Sequence, residues 1–259
     1  EHSSFPMYLN LTLLIAASIM GSTQGKSSKA SLEEAVAKAY EDKGLVTERI
    51  VSVGSVDYQY LVAGDDNAKA TLLFCHGAAF TMNTWKIVGA LDMAATHGYR
   101  AIALNLPGYG SSSKAKDKKA HLKSFADAIG ISHEVVVIAA SMGGTYALPF
   151  VYAPGKYHIA GLVTAAASLS GLPAGYVIKT PTLAVYGSED GRLKTDRAFF
   201  SESSSSFPAS ELVVFDDAPH PCYLRDAEAA RQFTDLVLTF INREQGGAKN
   251  EISLVATWE

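Results

Sequence analysis

Three residues far apart in the chain, Ser141, Asp190 and His220, are of the types that nucleophilic acyl transfer requires. A serine hydroxyl is a weak nucleophile until an adjacent imidazole removes its proton. A buried carboxylate then fixes the imidazole's tautomer and stabilises its cation. Histidine suits the proton transfer because its pKa lies near neutrality. The setting of Ser141 is the most specific part of the pattern. Val135–Ala140 is apolar and rich in β-branched residues, and Ser141, Met142, Gly143 and Gly144 follow before a helix-like segment. A buried strand entering a helix through so tight a turn forces the turn residue into a strained backbone. Small neighbours are needed where strand and helix pass close, and Ala139, Gly143 and Gly144 meet that need. The serine hydroxyl then projects above the sheet edge, near the first N–H groups of the helix.

The other candidates sit after apolar strands of their own. His76-Gly77-Ala78-Ala79-Phe80 follows a strand at Thr71–Cys75. Gly77 lets the backbone turn so that the N–H of Ala78 or Ala79 joins that of Met142 in an oxyanion hole. His76 is read as a structural residue that hydrogen-bonds this loop. Ala79 and Phe80 on the same turn, with Tyr109 in the 107–113 loop, are the candidate substrate contacts. Asp190 closes Tyr186-Gly187-Ser188-Glu189-Asp190, and His220 lies in Asp216-Asp217-Ala218-Pro219-His220-Pro221-Cys222. Glu189 rivals Asp190 as the acid but has the longer side chain. Asp216 and Asp217 read as turn formers. Cys222 beside His220 invites a cysteine-nucleophile reading, but nothing presents it on a comparable turn.

These loops need a scaffold that brings them to one edge. Glu48–Val53 and Val56–Ala63 read as a hairpin around Gly54-Ser55. Thereafter apolar strands (71–75, 101–104, 135–140, 161–165, 182–186, 212–215) alternate with helical patterns at 85–96, 116–129, 142–152 and 226–242. Ser31 with Glu34 reads as a capping box opening a short helix that Gly44 ends. Alternation on this scale predicts an α/β fold, a mostly parallel sheet covered by helices on both faces. Ligands in such sheets bind beyond the carboxyl ends of the strands, where all the candidates fall. Only residues 166–180 separate the sixth and seventh strands, too few for a cap domain. An open site is expected, roofed by this loop and by residues 107–113.

The order Ser, then acid, then His is that of α/β-hydrolases, and the chain resembles that superfamily from Val51 to Arg243. Within it the chain is similar to the abhydrolase-domain-14 group through H-G-A-A-F-T-M-N-T-W (76–85), G-Y-R-A-I-A-L-N-L-P-G-Y-G (98–110), S-M-G-G-T-Y-A-L-P-F (141–150), P-T-L-A-V-Y-G-S-E-D (181–190) and H-P-C-Y-L (220–224). The resemblance implies a nucleophile, acid and base at Ser141, Asp190 and His220. It also implies small-acyl esterase activity, with transfer of an acetyl group from lysine to coenzyme A proposed for the group. Three positions depart from the group's pattern. Ala79 stands where a basic residue is expected, Asn105 replaces an acid before Leu-Pro-Gly, and Ala139 replaces the first glycine of the turn.

Bulk properties narrow the field further. The chain has 259 residues, 48% hydrophobic and 19% charged, which fits one α/β domain with a substantial core. A net charge of −4 gives no reason to expect nucleic acid as a partner. Two cysteines, Cys75 and Cys222, imply neither a disulfide framework nor a metal site. Met7–Met20 is almost entirely apolar and has the length of a signal-peptide core, short for a membrane span. No Lys or Arg precedes it. Residues 1–25 are read as a cleavable signal or signal anchor, directing the chain to the secretory pathway or an organelle; a buried N-terminal helix in a cytoplasmic protein is the alternative. Membrane contact is expected only through residues 7–20, if they are retained. Residues 26–47 form a helical extension, 48–245 the α/β domain and 246–259 a tail without periodicity. The expected function is hydrolysis or transfer of a small acyl group from an ester, thioester or amide, including one carried on a protein lysine. A monomer is expected, with no required cofactor and coenzyme A as a candidate acceptor. The alternative is a catalytically silent binding or scaffold protein of the same fold, or a subunit of a larger assembly.

Overall fold

The computed structural model describes residues 29–38, 40–115, 120–131, 134–170, 172–173, 175–200 and 206–244. The expectations for residues 1–25 and 246–259 lie outside the described residues. Among those described, no helix is long and apolar enough to cross a membrane.

The strands are β1 (Thr47–Val53), β2 (Val56–Ala63), β3 (Thr71–Cys75), β4 (Arg100–Leu104), β5 (Glu134–Ala140), β6 (His158–Ala165), β7 (Thr182–Gly187) and β8 (Ser210–Phe215). They form one sheet in the order β1-β2-β4-β3-β5-β6-β7-β8. β1 and β2 form the hairpin and β2 runs antiparallel to β4; from β4 to β8 every neighbouring pair is parallel. The chain leaves β3 toward one side to make β4, then crosses back to lay β5 on the other side of β3. Such a reversal opens a crevice beyond the carboxyl ends of the two strands, where a ligand can reach several loops at once. The loop after β3 carries His76–Phe80 and the loop after β5 carries Ser141, so both border that crevice.

The central strands are buried on both faces and divide their side chains between two cores by the period of two. Leu72 and Phe74 of β3 and Val136, Ile138 and Ala140 of β5 join one core with Trp85, Leu91, Tyr223 and the last helix. Leu73, Cys75, Val135, Val137 and Ala139 join the other, with Leu122, Phe125, Leu148 and Phe150. The last helix, Ala227–Glu244, buries Phe233, Leu236, Val237, Phe240 and Ile241 as its periodicity predicts. Asp226 caps it, its Oδ1 accepting the Ala229 N–H at 2.7 Å.

The helices correct four expectations. The first, α1, spans Lys29–Ala37, so Ser31 lies inside it rather than opening it. Gly44 does not end it but closes a later turn with φ of 67°, its N–H donating to Asp42 Oδ1 at 2.9 Å. The single helix expected over 85–96 is two, α2 (Asn83–Ile87) and α3 (Ala90–Thr96). Gly89 adopts a left-handed φ of 75° between them, while the apolar spacing runs on undisturbed because both pieces bury the same face. The helix expected from Lys116 begins at His121 (α4, His121–Ile129), and residues 116–119 lie outside the described residues. Helix α5 (Gly144–Tyr152) carries Pro149 within it and runs three residues beyond it. The remaining helices are α6 (Leu193–Asp196) and the last one, α7.

Candidate active site

Ser141 turns the chain sharply. Ala140 is still extended, with φ of −104° and ψ of 133°, Ser141 has a φ of 46°, and Gly143 is already helical. A left-handed non-glycine residue costs about 1–3 kcal/mol and persists only where its surroundings over-determine it. Here β5 is hydrogen-bonded between β3 and β6, and the Ser141 carbonyl accepts the Ser168 N–H at 2.7 Å. The two glycines after the serine are needed for space, not for conformation. A Cβ on Gly143 would lie 2.7 Å from the Cys75 carbonyl oxygen, and one on Gly144 2.3 Å from that of Ser168. The elbow thus sits wedged between the β3 loop and the 166–180 loop. Gly144→Ala is expected to destabilise the fold by about 1–3 kcal/mol, because backbone rather than a flexible side chain must yield. Thermal unfolding checks this; an unchanged Tm would mean that the 166–180 loop moves aside freely.

The other two residues close on the serine. His220 Nε2 lies 2.8 Å from Ser141 Oγ, and His220 Nδ1 lies 2.7 Å from Asp190 Oδ2. The Asp190 side chain is 3% exposed, while the imidazole is 38% exposed at the mouth of the site. The second carboxylate oxygen of Asp190, Oδ1, accepts the Arg192 main-chain N–H at 3.0 Å. Glu189 points to solvent and has no part in this chain of contacts. Asp217 adopts a left-handed φ of 49° and turns the loop that delivers His220. Asp190, Ser141 and His220 therefore meet through hydrogen bonds although 79 residues separate the last two in sequence.

The surrounding loops are tied together by His76. Its Nε2 accepts the Leu106 N–H at 3.0 Å, so Nδ1 carries the proton and donates to the Gly77 carbonyl at 2.8 Å. That makes it a brace between the β3 and β4 loops. Residues 77–80 form a tight turn, the Phe80 N–H donating to Gly77 O at 3.0 Å. A Cβ on Gly77 would lie 3.3 Å from that of Ser141, so the peptide leading to Ala78 passes directly beside the serine. Met142 follows on its other side, and its sulfur accepts the Tyr109 hydroxyl at 3.2 Å. Ala78 and Ala79 are exposed, whereas Phe80 is 8% exposed and packs into a core. Cys222 is buried, and burial pushes its thiol up to about 12, which keeps it protonated and out of nucleophilic chemistry near neutrality.

One contributor is not evident from the chemistry of the side chains. A Cβ on Gly187 would lie 2.1 Å from Ala218 O and 2.3 Å from Pro219 O. The end of β7 and the His220 loop therefore cross in near contact, and Ser188 and Glu189 donate their N–H groups to Phe215 O and Ala218 O. A glycine closing a strand, three residues before the candidate acid Asp190, is the signal that could have found it. Among the described residues, the loop from 166 to 180 contains no helix or strand, and Ser141 is half-buried.

Comparison with known proteins agrees with this architecture. A family model described as "Alpha/beta hydrolase family" matches residues 72–248. Human "Putative protein-lysine deacylase ABHD14B" is 33% identical over 182 residues, covering 66% of this chain and 84% of its own length. Zebrafish (Danio rerio) "Protein ABHD14A" is 33% identical over 180 residues, 66% of this chain but 64% of its own length. Among solved structures, a "predicted CIB-like hydrolase" from Thermoplasma acidophilum superposes with a TM-score of 0.66 at 22% identity, covering 76% of this chain and 98% of that one. The potato epoxide hydrolase variant R-C1B1D33E6 does so at 0.64 and 16%, covering 76% and 99%. The chain belongs to the alpha/beta hydrolase family, and within it to the abhydrolase-domain-14 group. At these identities the solved structures speak for the fold alone.

Proposed function

We propose that this protein is a serine hydrolase acting on small acyl esters, thioesters or amides, with acyl-lysine in proteins as the substrate class. The observation that carries the reading is the unbroken hydrogen-bonded chain Ser141 Oγ–His220–Asp190, at 2.8 and 2.7 Å, on a left-handed serine. His220 Nε2 takes the hydroxyl proton as Ser141 Oγ attacks the acyl carbon, and Asp190 holds the proton on Nδ1 and stabilises the imidazolium. The main-chain N–H groups of Ala78 and Met142, with the N-terminus of the following helix, receive the charge on the acyl oxygen. His220 then gives its proton to the leaving alcohol, thiol or amine. The acyl-enzyme is released by water, or by the thiol of coenzyme A as a candidate acceptor.

Ala79 and Tyr109 flank the entrance and would meet the acyl carrier. Phe80 would act from behind them, through the core. An open mouth suits a small acyl group on a bulky carrier. The naming of ABHD14B as a protein-lysine deacylase points the same way. A small serine-directed fluorophosphonate tests the nucleophile: modification of Ser141 in the folded protein is expected, and its absence would leave the fold as a silent scaffold. An acetyl-lysine peptide, with and without coenzyme A, tests the substrate. Loss of the acetyl group is expected in both cases, and the appearance of acetate or acetyl-coenzyme A identifies the acceptor.

A further inference from the structure

Arg192 takes no part in the steps above, yet its contacts reach both sides of the site. Its main-chain N–H donates to Asp190 Oδ1 at 3.0 Å. Its guanidinium crosses to the end of β6, where Nη1 donates to Ala166 O at 3.2 Å and Nη2 to Ala167 O at 3.3 Å. The Nε group lies 3.6 Å from the carboxylate of Asp196, which also accepts the Tyr186 hydroxyl. Ala166 and Ala167 are fully buried, and Ala166 is held at a left-handed φ of 47°. Its own N–H donates to Val185 O at 2.8 Å, and two residues later Ser168 N–H donates to the Ser141 carbonyl at 2.7 Å.

We propose that Arg192 is a positioning residue that holds the root of the 166–180 loop in its strained form and thereby fixes Ser141 against the Asp190–His220 pair. The proposal rests on the triad reading given above. Arginine suits the task because its planar fork reaches two successive carbonyls at once, whereas a lysine ammonium is a single point charge. Without the fork, two buried carbonyls lose their partner, and the left-handed alanine is held only through its N–H to Val185 O. As Ala166 relaxes it carries Ser168 with it, and the hydrogen bond to the Ser141 carbonyl goes with Ser168. A displacement of the nucleophile of about 1 Å is enough to cost about 100-fold in rate.

The test compares Arg192→Ala and Arg192→Lys with wild type, using p-nitrophenyl acetate. Arg192→Ala is expected to lower kcat about 100-fold with KM little changed, since the guanidinium does not touch substrate. Arg192→Lys keeps a cation beside Asp196 and is expected to fold normally yet stay slow. Low millimolar guanidinium chloride is expected to restore part of the Arg192→Ala rate by occupying the vacated fork site. A residue needed only for stability would show no rescue by a denaturant. A wild-type kcat in folded Arg192→Ala, or in Arg192→Lys should the alanine variant not fold, overturns the proposal, as does a slow Arg192→Ala that guanidinium leaves unchanged. Ser141→Ala measured in parallel separates the two readings: if it stays active the triad reading has failed, whatever Arg192 does.

Discussion

Replacing Ser141 with alanine is expected to lower kcat for small acyl esters by about 10⁴ to 10⁶-fold, the loss that removal of an activated serine produces when only the oxyanion site and binding remain. The architecture of the elbow makes this a clean experiment. The serine side chain is half-buried at the crevice and its hydroxyl bonds His220 Nε2, a contact the fold does not depend on. The backbone strain at φ of 46° stays, and an alanine there meets the same steric cost as a serine. Stability should therefore change by no more than a few tenths of a kcal/mol while turnover collapses. Ester hydrolysis with burst-phase detection checks both halves of the expectation: the acyl-enzyme burst disappears and Tm holds. Activity retained in the folded variant would place the nucleophile elsewhere. Cys222 is a poor substitute, since its buried thiol stays protonated.

Much of this site is legible in the amino-acid sequence because its chemistry is written at strand ends. Ser141, Asp190 and His220 each follow an apolar run, and the two glycines after the serine announce the close approach seen at Cys75 and Ser168. The sheet follows from the same alternation. What stays hidden depends on contacts between segments distant in sequence. The break at Gly89 leaves no trace in the apolar spacing, because a left-handed residue can join two helices without changing the face they bury. Phe80 sits next to two exposed alanines, and only the packing decides that it turns into the core. The hydrogen bonds of Arg192 reach back across more than twenty residues to carbonyls of buried alanines, which carry no chemical signal of their own. Asn105 shows the same limit. As a departure from the group's acid it says little, yet its Oδ1 accepts the Met82 N–H at 2.9 Å and its Nδ2 donates to Gln59 Oε1 at 2.7 Å, tying three segments behind the site.

The rivalry between Asp190 and Glu189 leads to the second large expected effect. Asp190→Asn should lower kcat by about 10⁴-fold while Glu189→Gln stays close to wild type. The reason lies in the two oxygens of Asp190. One accepts the Arg192 N–H at 3.0 Å, which requires an acceptor at that position. An asparagine must keep its carbonyl there, so its amide nitrogen turns toward His220 Nδ1. Two donors cannot share that contact, and the imidazole shifts its proton to Nε2, the nitrogen that faces Ser141 Oγ at 2.8 Å. A protonated Nε2 cannot take the serine proton, so the base is lost although the shape is kept. The opposite amide orientation would set its NH₂ against the Arg192 N–H, leaving two buried donors facing each other. Glu189 has no such role; its main-chain N–H bonds Ala218 O and its side chain lies in water. Steady-state kinetics on both variants, with Tm to confirm folding, decides the assignment. Near-normal turnover in Asp190→Asn would mean that the short contact to His220 orients nothing the reaction uses.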